Sequence, residues 1–277
     1  MTLSLAAPAK INLFLHILGR RQDGYHEIQT FFQLLDYGDQ LSFSVRRDGQ
    51  LTLTPAMADI ADNDNLIIRA AKKLQAATKT ELGADIQLDK RLPLGGGLGG
   101  GSSDAATALV ALNHLWKTGL TATALADLGV QLGADVPVFV HGCSAWAEGI
   151  GEQLQVIAMP ERWYLVIKPN CSVATRQIFS HPQLTRNTPP ITVASFLEKG
   201  GINDCQTTVC QLYPEIAEAI SWLGRHAHAQ LTGTGACVFA GFPSRSAADE
   251  LLRKVPVHWQ GFIAKGISRS PVVDLLL

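Results

Sequence analysis

One stretch limits what this chain can be more than any other: Pro93-Leu94-Gly95-Gly96-Gly97-Leu98-Gly99-Gly100-Gly101-Ser102-Ser103-Asp104. It stands directly between a strand-like segment and a helix-like one. Glycines let backbone N–H groups approach an anion closely, and the positive end of the following helix adds to that attraction. Ser102 and Ser103 are placed to cap the helix or to donate to phosphate oxygens; a serine hydroxyl here could also touch a phosphate-bound Mg²⁺. Read as G-x-G-x-x-G through Gly95, Gly97 and Gly100, the loop formally matches a dinucleotide fingerprint. That reading needs a second parallel strand after the helix and an acidic residue about 20 positions on. A second helix follows instead, and no acid lies between Asp104 and Asp127. A Walker loop needs a lysine that is absent here. A flexible linker does not usually separate a strand from a well-patterned helix. Binding of nucleotide phosphate is the reading left.

The flanking pattern supports it. Ala9 to Ile17 alternates, with Ala9, Ile11, Leu13, Leu15 and Ile17 on one face and Lys10, Asn12, Phe14 and His16 on the other. This predicts a strand with one buried face and one functional face. Leu41–Arg47 and Gln50–Thr54 also alternate, and Asp48-Gly49 between them predicts a hairpin. Leu66–Ala77 has helical spacing, and Ile86 and Leu88 mark a short strand. Past the loop, a helix is expected from Ser102 or Ser103, with Ala105, Ala108, Leu109, Leu112, Leu115 and Trp116 on its apolar face and Gly119 at its end. Thr123–Leu132 follows as a second helix. The later part reads as strand Trp163–Lys168, helix Pro214–Gly224, strands Gln230–Thr232 and Ala236–Gly241, helix Ser244–Lys254 and strand Phe262–Ile267. That β-α-β-β-α-β order is the split unit of ferredoxin-like folds. Asn170–Lys199, rich in Pro, Thr and Asn, is expected to be an irregular, mobile insertion.

A chain of 277 residues suggests about two domains, divided near residue 157 into 1–157 and 158–277. A hydrophobic content of 47% with 17% charged residues is that of a globular protein with a sizeable core. The net charge of −1 gives no global reason to expect nucleic acid or a membrane as partner. An anionic ligand must then be held by local donors. Five cysteines, odd in number and without a C-x-x-C pair, read as reduced thiols rather than as disulfides or a zinc site. His226 and His228 would point apart on a helix. The apolar run Ile11–Leu18 is interrupted by Asn12 and His16 and is followed by Arg20-Arg21-Gln22-Asp23 rather than a cleavage site. A cytoplasmic protein, monomer or homodimer, is expected.

Three segments together resemble the GHMP kinase superfamily. Pro8-Ala9-Lys10-Ile11-Asn12-Leu13 resembles its first motif, Leu94 to Ala106 its phosphate loop, and Leu231-Thr232-Gly233-Thr234-Gly235-Ala236-Cys237 its third, a glycine turn. Lys10–Leu15, Arg21-x-Asp23-Gly24-Tyr25-His26, Phe32-Gln33-x-x-Asp36, Asp64-Asn65-Leu66 and Gly133-Ala134-Asp135-Val136-Pro137 narrow the resemblance to the branch acting on 4-diphosphocytidyl-2-C-methyl-D-erythritol. The resemblance runs nearly end to end. It implies a two-domain α+β fold, with a ribosomal protein S5 domain 2-like N-terminal domain and a ferredoxin-like C-terminal domain. ATP, with Mg²⁺, and the small-molecule substrate would meet between them. It also implies phosphorylation of the substrate's tertiary 2-hydroxyl in the non-mevalonate isoprenoid pathway. Two alternatives stay open: another small-molecule kinase of the superfamily, such as a homoserine kinase, and a non-catalytic metabolite-binding protein on the same fold.

The resemblance assigns roles residue by residue. Lys10 would hold the reacting oxygen and the transferring phosphoryl group; read alone, it is a solvated lysine. Asp135 would accept the hydroxyl proton. Leu82-Gly83-Ala84-Asp85 repeats the surroundings of Asp135, but Asp85 precedes an ordinary alternating strand and reads as a turn residue. Pro93, Leu94, Gly95, Gly96, Gly97, Leu98, Gly99, Gly100, Gly101, Ser102 and Ser103 would hold the ATP phosphates. Asn65 and Lys90 would lie near the adenine, or be a turn residue and a surface charge. Tyr25, His26 and Phe179 would clamp the cytosine, since aromatic faces stack on a base. Asn12 would contact substrate hydroxyls or phosphate, and Thr175 the diphosphate. No carboxylate but Asp104 is near the loop to hold the metal, and its ligands are left open. Where relatives often have Glu, this chain has Gln206.

Overall fold

The computed structural model describes residues 2–56 and 64–276. Strands β1 (Thr2–Arg20) and β2 (His26–Arg46) form a long antiparallel ribbon. Its turn is closed by the Arg21 N–H donating to the Tyr25 carbonyl at 2.8 Å, with Gly24 at φ 90°. The predicted strand Ala9–Ile17 is the middle of β1, but its two faces are not divided as expected. Lys10, Asn12, Phe14 and His16 are buried, as Ile11 and Ile17 are. The functional face is covered as well: Phe14 packs with Phe31, Trp146 and Phe196, and the Lys10 N–H donates to the Leu98 carbonyl at 2.9 Å. Register shifts at Pro8/Lys10, Asn12/Leu15 and Ile17/Gly19 interrupt the alternation.

The hairpin expected around Asp48-Gly49 does not form. β3 (Leu51–Thr54) pairs in parallel with β4 (Gly83–Asp89), and β4 pairs antiparallel with β2, so β4 lies between the two predicted partners. Helix α1 (Leu66–Thr78), capped by the Asn65 side chain, makes the crossover. Gly83 lets β4 enter the gap: a Cβ there would lie 2.0 Å from the Gln50 carbonyl oxygen. Alternation fixes which face a strand buries but not which neighbour it takes. Asp85 sits inside β4, not in a turn, and pairs with Arg46 at 2.8 Å.

Helix α2 (Gly100–Trp116) begins before the expected Ser102 or Ser103, with Gly99 at its N-cap (φ 72°) and no serine side-chain cap. It is buried on nearly every side from Ser103 to Asn113. Such a helix belongs in a core, and each large apolar side chain so buried contributes about 1.5–3 kcal/mol. α3 (Ala122–Val130) and α4 (Val136–His141) pack beside it, and Pro137 in the first turn of α4 leaves Asp135 at that helix's N-terminus. The hairpin β5 (Ala145–Glu148)–β6 (Gln153–Val156) extends the sheet from β2.

The C-terminal half follows with β7 (Trp163–Lys168), α5 (Thr175–Ser180), α6 (Val193–Lys199), α7 (Cys205–Leu212), α8 (Pro214–Gly224), β8 (Ala229–Leu231), β9 (Val238–Phe242), α9 (Arg245–Leu252) and β10 (Gln260–Ile267). Its strands lie in the order β10-β7-β9-β8, all antiparallel, which is the ferredoxin-like arrangement of the expected β-α-β-β-α-β unit. The segment 170–199, expected to be irregular, carries the short helices α5 and α6. β10 also pairs with β2 through Gly266–Leu35 and Ile267–Leu34, so one sheet runs through both halves. Among the described residues no helix is long and apolar enough to cross a membrane.

Candidate active site

The phosphate loop is held by the C-terminal half. The N–H groups of Ala236 and Cys237 donate to the carbonyls of Gly95 and Gly96, each at 3.0 Å, and the Thr232 hydroxyl donates to the Gly97 carbonyl at 3.2 Å. In a trans peptide the carbonyl and the following N–H point opposite ways, so the N–H groups of Gly96, Gly97 and Leu98 are directed away from that turn. A Cβ on Gly97, whose φ is 73°, would lie 2.3 Å from the Thr232 carbonyl oxygen. Only glycine lets the two turns approach so closely. The loop then faces a cleft of about 450 Å³ lined from both halves of the chain.

Lys10 and Asp135 meet in this cleft. Their side chains form an ion pair at 3.2 Å, Lys10 buried and Asp135 one-third exposed. Lys10 also donates to Asn12 Oδ1 at 2.7 Å, and Asn12 Nδ2 donates to the Thr30 hydroxyl at 2.9 Å, which donates in turn to the Phe14 carbonyl. That chain fixes the orientation of the Asn12 amide, and the Asn12 N–H is anchored on the Thr232 hydroxyl at 3.1 Å. The ammonium lies 5.2 Å from the Phe32 ring centre. A buried ammonium with a carboxylate, an amide oxygen and a ring face has its charge and position defined.

Pro93 to Ser102, Asn12, Lys90, Thr175 and Phe179 line the same cleft. The Thr175 and Thr234 hydroxyls are hydrogen-bonded at 3.0 Å. Ser103 turns the other way: its hydroxyl is buried and has no partner among the described residues. Asn65 lies next door, lining a cavity of about 90 Å³ with Lys90, Leu94 and Asp104. Lys90 donates to Asp39 and, at 2.8 Å, to Asp104. Burial works against its charge, but the two carboxylates outweigh it and raise its pKa.

The three predicted aromatic groups are only partly brought together. Of the three only Phe179 lines the cleft; its ring stacks on that of His26, which is buried, with centres 5.0 Å apart, and Tyr25 is 56% exposed. Arg186, unmarked in the sequence, organises the pair. It donates through Nε to His26 Nε2 at 3.1 Å and through its terminal nitrogens to the carbonyls of Phe179, His181 and Leu184. A guanidinium only donates, so His26 Nε2 accepts and the ring proton is on Nδ1. Burial lowers the pKa of His26, and the charges of Arg186 and Arg20 lower it further.

Asp39, Thr30, Arg186 and Thr234 escaped the sequence reading. Thr234 lay within a quoted motif; the other three occupy strand or loop positions that no pattern marks. Asp85 is remote from the cleft, bound to Arg46 and, at 2.7 Å, to Thr52. Gln206 accepts the Leu231 N–H at 2.9 Å, a contact a glutamate would serve as well.

The arrangement matches known proteins along its whole length. The family described as GHMP kinases N terminal domain matches residues 65–143, and GHMP kinases C terminal matches residues 195–260. A protein of Mannheimia succiniciproducens named 4-diphosphocytidyl-2-C-methyl-D-erythritol kinase is 55% identical over 97% of this chain and 89% of its own length. One of the same name from Azoarcus sp. is 55% identical over 98% of this chain and 96% of its own. The crystal structure of a 4-(cytidine 5'-diphospho)-2C-methyl-D-erythritol kinase superposes with a TM-score of 0.81 at 31% identity, covering 96% of this chain and all of that one. A homoserine kinase from Cytophaga hutchinsonii shares the fold, with a TM-score of 0.66 at 15% identity over 97% of this chain and 95% of that one. A glycine loop pinned between two halves, a buried lysine–aspartate pair facing it and these matches lead to one conclusion: the chain belongs to the GHMP kinase family.

Proposed function

We propose that this protein transfers the γ-phosphate of ATP to the 2-hydroxyl of 4-diphosphocytidyl-2-C-methyl-D-erythritol. The observation that carries the chemistry is the Lys10–Asp135 pair at 3.2 Å in the cleft that the phosphate loop faces. The substrate is taken from the relatives that are 55% identical over nearly the whole chain. The acceptor hydroxyl sits at the pair. Its O–H bond breaks, the proton passes to Asp135, and the oxygen bonds to the γ-phosphorus as the bond to the β-phosphate oxygen breaks and ADP leaves. A loose transition state of this kind is governed by position and charge more than by base strength. Lys10 holds the reacting oxygen and the charge on the moving phosphoryl group, and Asn12 keeps the ammonium aimed.

Magnesium fits this donor set as an ion carried on the nucleotide phosphates. Among the described residues no three His, Cys, Asp or Glu side chains converge on one point, and Mg²⁺ ordinarily keeps water and phosphate oxygens with one or two protein ligands. Ser102 would hold it, and it would neutralise phosphate charge during transfer. The cytosine is read by Phe179 on the cleft wall and by His26, whose ring stacks on it, with Thr175 beside the diphosphate. Tyr25 closes over the base from its exposed position. The division near residue 157 assigns the phosphate loop to the first domain and Phe179 to the second. The five free thiols fit a cytoplasmic enzyme.

The test is ADP release from Mg-ATP with the cytidyl substrate beside homoserine, mevalonate and galactose. Turnover confined to the cytidyl substrate is expected. Turnover on another alcohol would keep the kinase and remove the cytosine site; silence on all four would favour a binding protein.

A further inference from the structure

Both ends of the phosphate loop are tied to one carboxylate that no motif marks. Asp39 lies in β2 with no exposed surface. Its Oδ1 accepts the N–H groups of Arg91 at 2.6 Å and Leu92 at 2.7 Å, the last residues before the loop. Its Oδ2 accepts Lys90 Nζ. Lys90 also donates to Asp104 Oδ2 at 2.8 Å, in the first turns of α2 beyond the loop's other end. A Cβ on Gly100 would lie 3.2 Å from the same ammonium. The chain of contacts therefore runs from β2 through Lys90 to the start of α2, with the glycine loop spanning the gap.

Two carboxylates hold the Lys90 ammonium, Asp104 at the start of α2 and the fully buried Asp39, and Asp39 is the one that also fixes the chain just before the loop. An ammonium has three N–H groups. Among the described residues two are used on carboxylates, which leaves one for a ligand in the cavities that Lys90 lines.

We propose that Asp39 is a positioning residue for the donor nucleotide, setting the two ends of the phosphate loop through Lys90 and the peptide of Arg91 and Leu92. This rests on the reading of the loop as the ATP site. Asp39→Asn keeps an acceptor for the two N–H groups and removes the charge beside Lys90. The KM for ATP should rise about tenfold while the KM for the cytidyl substrate stays within about twofold. Because Asp39 acts through Lys90, adding Asp39→Asn to Lys90→Met should raise the KM for ATP by less than about twofold again. The double variant removes the ammonium together with its partner, so the question stays answerable if Asp39→Asn alone does not fold. An unchanged KM for ATP, equal rises in both KM values, or full additivity in the double variant would overturn the proposal. The loop reading is checked separately by Gly97→Ala: an unchanged KM for ATP there removes that reading and the proposal with it, whereas a raised KM there beside an unmoved Asp39→Asn overturns the proposal alone.

Discussion

In the proposed mechanism Lys10 holds charge and Asp135 takes a proton, and single substitutions should separate these roles. Asp135→Asn keeps the shape and a hydrogen-bond acceptor near Lys10 but removes the base. Its kcat should fall roughly 10²- to 10⁴-fold with KM values little changed, as read from steady-state ADP release. A variant within about threefold of wild type would take Asp135 out of the proton transfer. His26 is the pH-sensitive partner. Its folded-state pKa is depressed below 6.5 by burial and by Arg186 and Arg20, so its contribution is present above 6.5 and is lost as pH falls through the lowered value. Melting temperatures at pH 7 and pH 5 should therefore differ less for His26→Gln than for wild type. Lys10, Asp135 and the glycine loop were legible in the sequence because motif and spacing mark them. Asp39 and Arg186 were not. A buried, fully bonded aspartate in a strand has the same letter as a solvated one, and what distinguishes it lies 51 and more residues away.

At the scale of the element, the phosphate loop owes its shape to what it packs against. Gly97 and Gly119 share nearly the same backbone, at φ 73° and 72°, yet a Cβ on Gly119 meets nothing within 4 Å. Gly119→Ala should cost only the backbone strain of about 1–2 kcal/mol, seen as a lower melting temperature with ATP affinity intact. Gly97→Ala adds the clash with Thr232, and should cost more stability and weaken ATP binding at least about tenfold by calorimetry. Equal effects of the two substitutions would contradict the pinned-loop account. The sequence pattern located most helices and strands, because periodicity reports which face is buried. It misassigned the partner of β3, because the same alternation suits pairing with β2 or with β4. It marked one face of β1 as functional but not that this face is buried too, because burial of Lys10 and Asn12 comes from a loop and strands distant in sequence.

Across the whole molecule the two halves share both sheet and core. β10 joins β7 to β2, Leu15, Ile17 and Ile28 from the first ribbon belong to the C-terminal core, and Val272 near the C-terminus belongs to the N-terminal one. Cutting at residue 157 would leave each half missing part of its core. Residues 1–157 and 158–277 expressed separately should each lack a cooperative urea transition, while the full chain unfolds in one. Two independently cooperative fragments would contradict this. The ferredoxin-like order was legible from sequence, but the shared sheet was not, since no local pattern records Gly266 meeting Leu35.

Transfer from ATP to the 2-hydroxyl at the Lys10–Asp135 pair can be read from the phosphorus NMR spectrum of the product formed from Mg-ATP and 4-diphosphocytidyl-2-C-methyl-D-erythritol. The 2-carbon is tertiary and bears no hydrogen, so a phosphate ester there has no proton three bonds away. A new phosphomonoester singlet is expected, formed by wild type and lost in Lys10→Met. A proton-coupled doublet or triplet would place the phosphate on another hydroxyl, and the same singlet from Lys10→Met at wild-type rate would contradict the assignment of the site.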